Sequence, residues 1–236
     1  PFLIVNVQRG GPGLGTIQPS QGDYFQATKG GGHGDYRLIV LAPASVQEMA
    51  NFVFDGFRLA EKYRVGTMIL ADGALGQMME KIVLPPAGSL PLKAKPWATI
   101  GKPPSRERNI LTSLFIQPEK MEEVNIKLQK KYQDIHSEIR YEAIRVEDAD
   151  IVLVAFGLSA RISQKALELA RDKGIRVGLI RPITLYPFPS AILSQIALSA
   201  EAFLVVEMNA GQMLEDVELA VRGEKPVMFK GRMGGM

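Results

Sequence analysis

Short apolar runs of strand-forming residues alternate with amphipathic helical segments along most of the chain, and this alternation limits the fold more than any other feature. Residues 38–42 and 67–71 are two such runs, and between them apolar residues recur at the spacing of one helix face. A strand, a helix and a second strand over that length form a right-handed parallel crossover. The pattern predicts an α/β fold built on parallel sheets.

A proline-rich stretch separates two regions of this kind. Residues 85–110 contain six prolines, each of which removes a backbone donor and disfavours regular structure. Pro118 then stands at the first-turn position of a charged amphipathic helix. We therefore predict a first α/β domain at residues 1–98, a proline-rich linker and helix at residues 99–145, and a second α/β domain at residues 146–236.

The second domain has the plainer pattern. Its strands are expected at residues 151–156, 176–180 and 202–206 and near Val227, with a helix at about 212–221. A further helix is expected to be capped by Ser159, to run through Lys173 and to end at Gly174. The residues expected to turn inward from it are Ile162, Ala166, Leu169 and Ala170. Parallel strands that alternate with helices predict a doubly wound sheet.

The composition excludes several classes of function. The chain has 236 residues and no cysteine, so it offers neither a thiolate nucleophile nor cysteine ligands for an iron–sulfur cluster. It has two histidines, far apart in sequence, and we expect no metal site. The net charge of +3 comes from interspersed basic and acidic residues, which does not indicate a nucleic-acid-binding surface.

No membrane or export segment is apparent. The most apolar run, residues 149–160, is too short to span a bilayer and is interrupted by Asp150. No secretory signal is visible, and we expect a cytoplasmic protein with no membrane partner.

Residues 4–23, IVNVQRGGPGLGTIQPSQGD, place a glycine-rich loop directly after a strand. A phosphate-binding P-loop needs a lysine and a hydroxyl residue after its last glycine, and these do not follow Gly15. A dinucleotide fingerprint needs G-x-G-x-x-G running into a helix, which the spacing here does not match. The loop therefore does not predict a nucleotide site.

Arg9 is the functional candidate within this loop. It follows a strand, at the end where α/β folds bind ligands. Its planar guanidinium suits a carboxylate, and the glycines would let a substrate approach the backbone. The alternative is a structural arginine that ties the loop to Asp23 or Asp35, and the residues alone do not decide between the two.

Two further stretches carry candidate residues. His33 lies among glycines, where it is either a proton carrier or a loop residue bonded to the backbone. Glu207, Asn209 and Gln212 follow a strand and precede a helix. Asn209 is either a helix cap or, with Glu207, part of an interface between domains or subunits.

An ordered series of motifs spans the chain: QRGGPGLGTIQPSQGDYFQA, GGGHGD, LIVLAPAS, AEKYR, RPITLYPFP and EMNAGQM. The series resembles the alpha subunit of the 2-oxoacid:ferredoxin oxidoreductases, and most of all the 2-ketoisovalerate branch. The resemblance implies a thiamine-enzyme pyrimidine-binding domain followed by a transketolase C-terminal-like domain. It also implies oxidative decarboxylation of a 2-oxoacid to an acyl-CoA, with ferredoxin as electron acceptor.

The same resemblance implies a division of labour between subunits. Beta, gamma and delta type subunits would be the partners, the beta subunit binding the diphosphate of thiamine diphosphate and its magnesium. Iron–sulfur clusters would lie only in partner subunits, which agrees with the lack of cysteine here. The thiamine-activating glutamate of the family lies well upstream of the R-x-G-P loop, so we expect an incomplete first domain and no catalytic residue in this chain.

The resemblance also suggests roles for individual residues. Arg9 would hold the substrate carboxylate, with Thr16, Gln18, Gln21 and His33 as further substrate-binding candidates. Gly11 and Gly13 would contact the cofactor, and Glu207, Asn209 and Gln212 would form an interface. Two alternatives to this function are a non-catalytic subunit-assembly module and the beta component of a thiamine-dependent 2-oxoacid dehydrogenase.

Overall fold

The computed structural model describes residues 1–86 and 94–235. Its first sheet is formed by β1 (Phe2–Gln8), β2 (Ile39–Leu41), β3 (Gly66–Asp72) and β7 (Thr184–Tyr186). They lie in the order β1-β3-β2-β7, with β1, β2 and β3 parallel and β7 antiparallel to β2. Every residue of β3 is buried, as expected of a central strand that is covered on both faces.

The second sheet has five strands. They are β4 (Tyr141–Ile144), β5 (Ile151–Val154), β6 (Val177–Pro182), β8 (Ala202–Glu207) and β9 (Val227–Gly231). Their order is β4-β6-β5-β8-β9, and all neighbours are parallel except β4 and β6. The α/β class predicted from the sequence is confirmed in both sheets.

Seven α-helices occur in the part of the chain that the structure describes. They are α1 (Tyr24–Thr28), α2 (Val46–Tyr63), α3 (Gly73–Gln77), α4 (Pro118–Ile135), α5 (Gly157–Arg171), α6 (Ser190–Ile196) and α7 (Gln212–Val221). A 3₁₀ turn, His136–Glu138, follows α4. Pro118 begins α4 as predicted. The described part of residues 85–110 contains no helix or strand; Pro91 lies outside the described residues.

The start of α2 shows how local sequence fixes an element. The Ser45 hydroxyl accepts a hydrogen bond from the Glu48 amide at 3.1 Å, so Ser45 is the N-cap of α2. The Glu48 carboxylate instead accepts from the amide of Ala44, at 2.7 Å. It also pairs with Arg181 of β6, so the first turn of α2 is joined to the second sheet.

The start of α5 differs from the prediction. Phe156 is the N-cap and Gly157, with φ +55°, begins the helix, so the prediction that Ser159 caps it is wrong. Ser159 lies inside the helix, and its hydroxyl donates to the Gln21 side chain at 2.8 Å. Gly157 adopts this left-handed conformation without strain because it has no side chain, so the helix begins two residues before Ser159.

Three of the four residues predicted to face inward from α5, Ile162, Ala166 and Leu169, are exposed, and Ala170 packs against the core. The buried residues are Gly157, Ser159, Ala160, Ser163 and Leu167. Ile162 and Leu169 are 45% and 54% exposed. The buried face consists mainly of small residues, two of them serines, so apolar periodicity points to the opposite face.

Five of the helices and strands were not predicted: α1, α3, α6, β4 and β7. β4 is exposed along most of its length, and β7 is a three-residue strand beside Pro182 and Pro187. Both lie at sheet edges, where weak apolar patterning and neighbouring prolines are tolerated. β7 comes from the segment predicted for the second domain, yet it completes the first sheet.

The two sheets share one apolar core. A single cluster of buried side chains includes Val40 and Leu70 from the first sheet and Phe156 and Phe203 from the second region. Burial of such side chains contributes about 1.5–3 kcal/mol each relative to exposure. The two sheets are therefore packed directly against one another. Within the described residues, no helix is both long and apolar enough to cross a membrane.

Candidate functional site

Arg9 follows β1 directly, at the carboxyl end of the parallel strands of the first sheet. The bridge between Arg9 and Pro19 closes the loop of residues 10–18. Inside the loop, the Gly10 amide donates to the Gln18 carbonyl at 2.9 Å and the Thr16 amide donates to the Gly10 carbonyl at 2.7 Å. The loop is therefore a closed, internally bonded turn with Arg9 at its base.

The Arg9 side chain is exposed and bends back over the loop. Nη1 donates to the carbonyls of Gly10, at 3.2 Å, and Leu14, and Nη2 donates to the carbonyl of Gly13 at 3.1 Å. Within the described part of the chain, Nε has no hydrogen-bond acceptor. Nε and Nη2 lie on one edge of the guanidinium, and an edge of this kind can bind a carboxylate through two hydrogen bonds.

The glycines of the loop make this arrangement possible. Gly15 has φ +54°, and a Cβ there would clash with the Gly10 carbonyl and lie 2.7 Å from Arg9 Nη1. A Cβ at Gly11 or Gly13 would meet nothing within 4 Å, so the backbone at those two positions is open. Neither Asp23 nor Asp35 contacts Arg9: the Asp23 carboxylate accepts from Asn6 instead.

Thr16 and Gln18 lie in the same loop but face a different neighbour. The Thr16 hydroxyl donates to the Gly234 carbonyl at 2.9 Å, and the Gln18 backbone packs against Gly235. The Gln18 side chain is exposed. The loop is thus flanked by the segment that follows β9.

Gln21 is fully buried at the junction between the two sheets. Its side-chain amide donates to the Phe156 carbonyl at 2.8 Å, and its side-chain oxygen accepts from the Ser159 hydroxyl at 2.8 Å and the Met208 amide at 3.0 Å. Every partner belongs to the second region. The Gln21 side chain therefore joins the sheets and does not face an open pocket.

On the side of the second sheet, the same junction contains Glu207 at the end of β8, Asn209, and Gln212 at the start of α7. Asn209 donates to the Gln21 carbonyl at 2.8 Å, and Gln212 donates to the Gly22 carbonyl at 2.7 Å. The Asn209 side-chain oxygen also accepts from the amides of Gly211 and Gln212, so it stabilises the first turn of α7 as well. These contacts are within one chain, between its two sheets.

Glu207 is a buried carboxylate, 2% exposed. It accepts hydrogen bonds from the amides of Met213 and Leu214 at the start of α7 and from the Asn209 side chain. Burial raises the pKa of the Glu207 carboxyl, and these three donors oppose that rise. The carboxylate therefore stabilises the start of α7.

Asp72, at the end of β3, is a second buried carboxylate and was not among the predicted site residues. One oxygen accepts from the amides of Ala74 and Leu75, and the other accepts from the Leu158 amide of α5 at 3.3 Å. Burial raises the pKa of Asp72, against the effect of these donors. The pair Asp72-Gly73 resembles a turn in the sequence; an aspartate that ends a buried strand and precedes a helix is the signal for a cap.

His33 lies in an exposed turn away from these contacts. The nearby residues Asp35 and Arg37 line an open groove of about 990 Å³ with α4. The Arg9 loop, in contrast, contacts residues 234 and 235. No described contact brings His33 to Arg9. Among the described residues, no group of three or more histidine, aspartate or glutamate side chains is arranged to hold a metal ion.

Comparison with known families accounts for the whole chain. Residues 1–150 match the model of the pyruvate flavodoxin/ferredoxin oxidoreductase, thiamine diphosphate-binding domain. Residues 149–236 match the model of pyruvate:ferredoxin oxidoreductase core domain II. The chain belongs to the pyruvate flavodoxin/ferredoxin oxidoreductase family. The resemblance predicted from the ordered motifs is confirmed.

Members of the pyruvate flavodoxin/ferredoxin oxidoreductase family with curated names resemble this chain along its full length. The ketoisovalerate oxidoreductase subunit VorB of Methanothermobacter marburgensis is 50% identical over 100% of this chain and 66% of its own length. The 2-oxoglutarate synthase subunit KorA of Methanocaldococcus jannaschii is 34% identical over 100% of this chain and 70% of its own length. The chain thus spans about two thirds of the length of these relatives.

A solved structure of the same family has a similar fold. It is the 2-oxoglutarate:ferredoxin oxidoreductase from Magnetococcus marinus with 2-oxoglutarate, coenzyme A and succinyl-CoA bound. The TM-score is 0.76 at 25% identity, over 99% of this chain and 46% of the other. The two-domain α/β architecture is therefore shared with an enzyme of this family.

Proposed function

We propose that this chain is the alpha-type component of a thiamine diphosphate-dependent 2-oxoacid:ferredoxin oxidoreductase. Its substrate would be a branched-chain 2-oxoacid, 2-ketoisovalerate, converted to the acyl-CoA in the cytoplasm. The observation that carries the proposal is the free guanidinium edge of Arg9, at the carboxyl end of β1, in a chain that is 50% identical to a ketoisovalerate oxidoreductase subunit.

Arg9 binds the carboxylate of the 2-oxoacid in this proposal. Nη1 and Nη2 are held by the loop carbonyls, which fixes the plane of the guanidinium and leaves the Nε edge to form two hydrogen bonds with the substrate. Gly11 and Gly13 leave the backbone open beside it, which supports close approach of substrate and cofactor. Charge-assisted binding of this kind contributes about 1.5–3 kcal/mol.

Thiamine diphosphate supplies the electron sink for decarboxylation when it is bound. Among the described residues, no buried carboxylate is free to complete a site for it. The two buried carboxylates at the strand ends, Asp72 and Glu207, are occupied by backbone donors and are not free for the cofactor's aminopyrimidine ring. We assign the diphosphate, its magnesium and the iron–sulfur clusters to beta, gamma and delta type partner subunits.

A non-catalytic assembly role is the second candidate. The side chains of Gln21, Asn209 and Gln212 agree with this role only in that they bind between the two sheets of this chain and are not free to contact a substrate. In that role the chain would bind partner subunits but would add no substrate contact.

Reconstitution separates the two candidates. The full-length protein is combined with its partner subunits, thiamine diphosphate, magnesium and coenzyme A, and reduction of a redox dye is followed with 2-ketoisovalerate, 2-oxoglutarate or pyruvate as substrate. Dye reduction that is fastest with 2-ketoisovalerate is expected. A complex that forms but reduces no dye with any 2-oxoacid would leave the assembly role and overturn the enzymatic one.

A further inference from the structure

The segment that follows β9 crosses the junction between the two sheets. β9 pairs with β8 as far as Gly231, and the Arg232 amide then donates to the Glu207 carbonyl at 3.2 Å. Gly234 and Gly235 follow with φ of +83° and +97°, a conformation that residues with a Cβ rarely adopt. Two successive left-handed glycines carry the backbone away from the second sheet and onto the Arg9 loop.

The contact between this segment and the loop is tight and involves the backbones of both. The Thr16 hydroxyl donates to the Gly234 carbonyl at 2.9 Å. A Cβ on Gly10 would lie 2.5 Å from the Gly234 oxygen, and a Cβ on Gly235 would lie 2.5 Å from the Gln18 Cβ. Real Cβ atoms essentially never come that close to another atom, so the segment and the loop can touch in this way only because residues 10 and 235 are glycines.

The position of the loop governs the position of Arg9. The three acceptors that hold the guanidinium are loop carbonyls, those of Gly10, Gly13 and Leu14. The loop is exposed from residue 11 to residue 18, so packing does not hold its tip. A displaced loop would carry its carbonyls, and with them the guanidinium plane, to a new orientation.

We propose that residues 232–235 act as a brace that positions the Arg9 loop, with Thr16 as the positioning residue that fastens loop and brace together. The brace orders the loop before substrate arrives, and Thr16 acts through Arg9 without touching the substrate. The effect on substrate binding rests on the proposed function, whereas the effect on loop order does not.

The loop side is tested with Gly10→Ala, measured against Gly22→Ala. A Cβ at Gly22 would lie 3.6 Å from its nearest neighbour, an ordinary contact, so this variant makes the same substitution without a steric clash. Hydrogen–deuterium exchange of residues 11–18 is read in the substrate-free chain. Faster exchange in Gly10→Ala only is expected, and equal exchange in both variants would overturn the brace.

The segment of residues 232–235 also offers a variant and a matched control. Gly234→Ala and Gly235→Ala both place a Cβ at positive φ, but only the second meets the loop, at Gln18. We expect Gly235→Ala to speed exchange of the loop more than Gly234→Ala does. An equal effect of the two would attribute the change to backbone strain alone and count against the proposal.

Thr16→Val keeps the shape of the side chain and removes the hydrogen bond to Gly234, together with the longer bond of 3.3 Å that the Gln18 amide donates to the Thr16 hydroxyl; Thr16→Ser keeps both. The Gln18 amide is therefore left out of the comparison, and exchange of the other loop amides is expected to be about threefold faster in the valine variant, with the serine variant near wild type. A residue that only binds substrate would leave exchange of the substrate-free loop unchanged, and that result would overturn the positioning role.

Kinetics of the reconstituted complex complete the test. Thr16→Val is expected to raise the KM for the 2-oxoacid with a smaller change in kcat, and Thr16→Ser to restore it. If the complex shows no 2-oxoacid activity but loop exchange responds as described, the proposed function fails while the brace stands. If KM rises in Thr16→Val without any change in loop exchange, the brace fails while the proposed function stands.

Discussion

Arg9 combines two uses of one side chain. Two of its nitrogens hold the carbonyls of the glycine loop, and the remaining edge of the guanidinium is free within the described residues. A lysine has a single ammonium and cannot both bridge the carbonyls and present a planar pair of donors. The chemistry proposed for this position therefore depends on arginine in particular, not on positive charge alone.

Replacing Arg9 by lysine in the reconstituted complex is expected to raise the KM for the 2-oxoacid about tenfold or more, the loss of a charge-assisted hydrogen bond. Thiamine diphosphate affinity should change little. Steady-state kinetics with varied 2-oxoacid measure the effect, with Arg58→Lys on the exposed side of α2 as control. An unaltered KM in Arg9→Lys would contradict the carboxylate role.

Gln21 is expected to matter for stability more than for substrate binding. Gln21→Leu leaves the Phe156 carbonyl, the Ser159 hydroxyl and the Met208 amide without their buried partner. We expect the free energy of unfolding to fall by roughly 2–5 kcal/mol, as for other unsatisfied buried polar groups. Urea denaturation measures this, and Gln26→Leu, on the exposed side of α1, is the matched control.

If Gln21→Leu has the urea midpoint of the wild type and a raised KM, the result would support Gln21 as a substrate-binding residue. The buried hydrogen bonds described above would then contribute little to folding.

At the scale of elements, α2 and β6 are joined by a buried ion pair. Arg181, with its side chain 5% exposed, binds both Glu48 oxygens at 2.9 and 2.7 Å and Glu142 at 2.8 Å. Burial acts to lower the pKa of Arg181, and its two carboxylate partners raise it overall. The pair fixes the first turn of α2 against a strand that is more than a hundred residues away in sequence.

Arg181→Met is expected to lower the free energy of unfolding by about 3 kcal/mol, because Glu48 keeps a partly buried charge without its partner. Arg176→Met removes an arginine whose side chain is 59% exposed and pairs with Asp150 at the surface, so little change is expected there. Thermal or urea denaturation of the two variants gives the comparison. Equal effects would mean that the buried pair is no more important than the surface pair.

Asp72 joins β3 to the starts of α3 and α5, and its burial has a measurable consequence for pH dependence. Its folded-state pKa is raised above 3.8, so the folded state binds the proton more tightly than the unfolded state. The contribution of this group to stability therefore falls as the pH rises from 3.8 through the raised pKa. Asp72→Asn lacks this titration.

The stability difference between wild type and Asp72→Asn should accordingly become less favourable to wild type as the pH is raised from mildly acidic to neutral. Urea unfolding of both proteins at several pH values measures it. The other carboxylates titrate in both proteins and cancel in the difference. A difference that grows with pH would show that the three backbone donors outweigh burial.

The elements that sequence patterns predicted well are those with strong local signals. β3, β5 and β8 are apolar runs, and α4 begins at its proline. The failures were of two kinds. The buried face of α5 consists of small and hydroxyl residues, and β7 is a short edge strand whose place depends on β2, far away in sequence.

The candidate site follows the same division. Arg9 could be selected as a candidate because it follows a strand and stands in a recognisable loop. The roles of Gln21 and Asp72 could not be found, because their partners Phe156, Met208 and Leu158 lie in the other half of the chain. The residues next to Gln21 or Asp72 in the sequence give no signal that its side chain joins two sheets.

At the scale of the whole molecule, one edge of the first sheet is apolar and open. Within the described residues β1 pairs with β3 alone, and Phe2, Val5 and Val7 are each 45–53% exposed. On nearby α2, Phe57 is 51% exposed. An exposed apolar edge strand with free backbone groups promotes association between copies.

We expect the chain without its partner subunits to self-associate, and Val5→Lys to reduce this by placing a charge on the edge strand. Sedimentation velocity over a range of concentrations measures the association. Val83→Lys places the same charge on an exposed valine outside the sheets and should have little effect. Equal suppression by both variants would point to net charge and not to the edge strand.

The three-residue strand β7 limits how the two halves of this chain can be combined with the halves of a relative in a chimera. It is encoded beyond β6 yet forms the outer strand of the first sheet, and the Ala42 amide also donates to the Ile183 carbonyl beside it. A chimera that joins the first half of a ketoisovalerate subunit to the second half of a 2-oxoglutarate subunit would give the first sheet a foreign edge strand. A chimera joined at the linker therefore keeps the original edge of this sheet only if residues 183–186 are also taken from the protein that supplies β2.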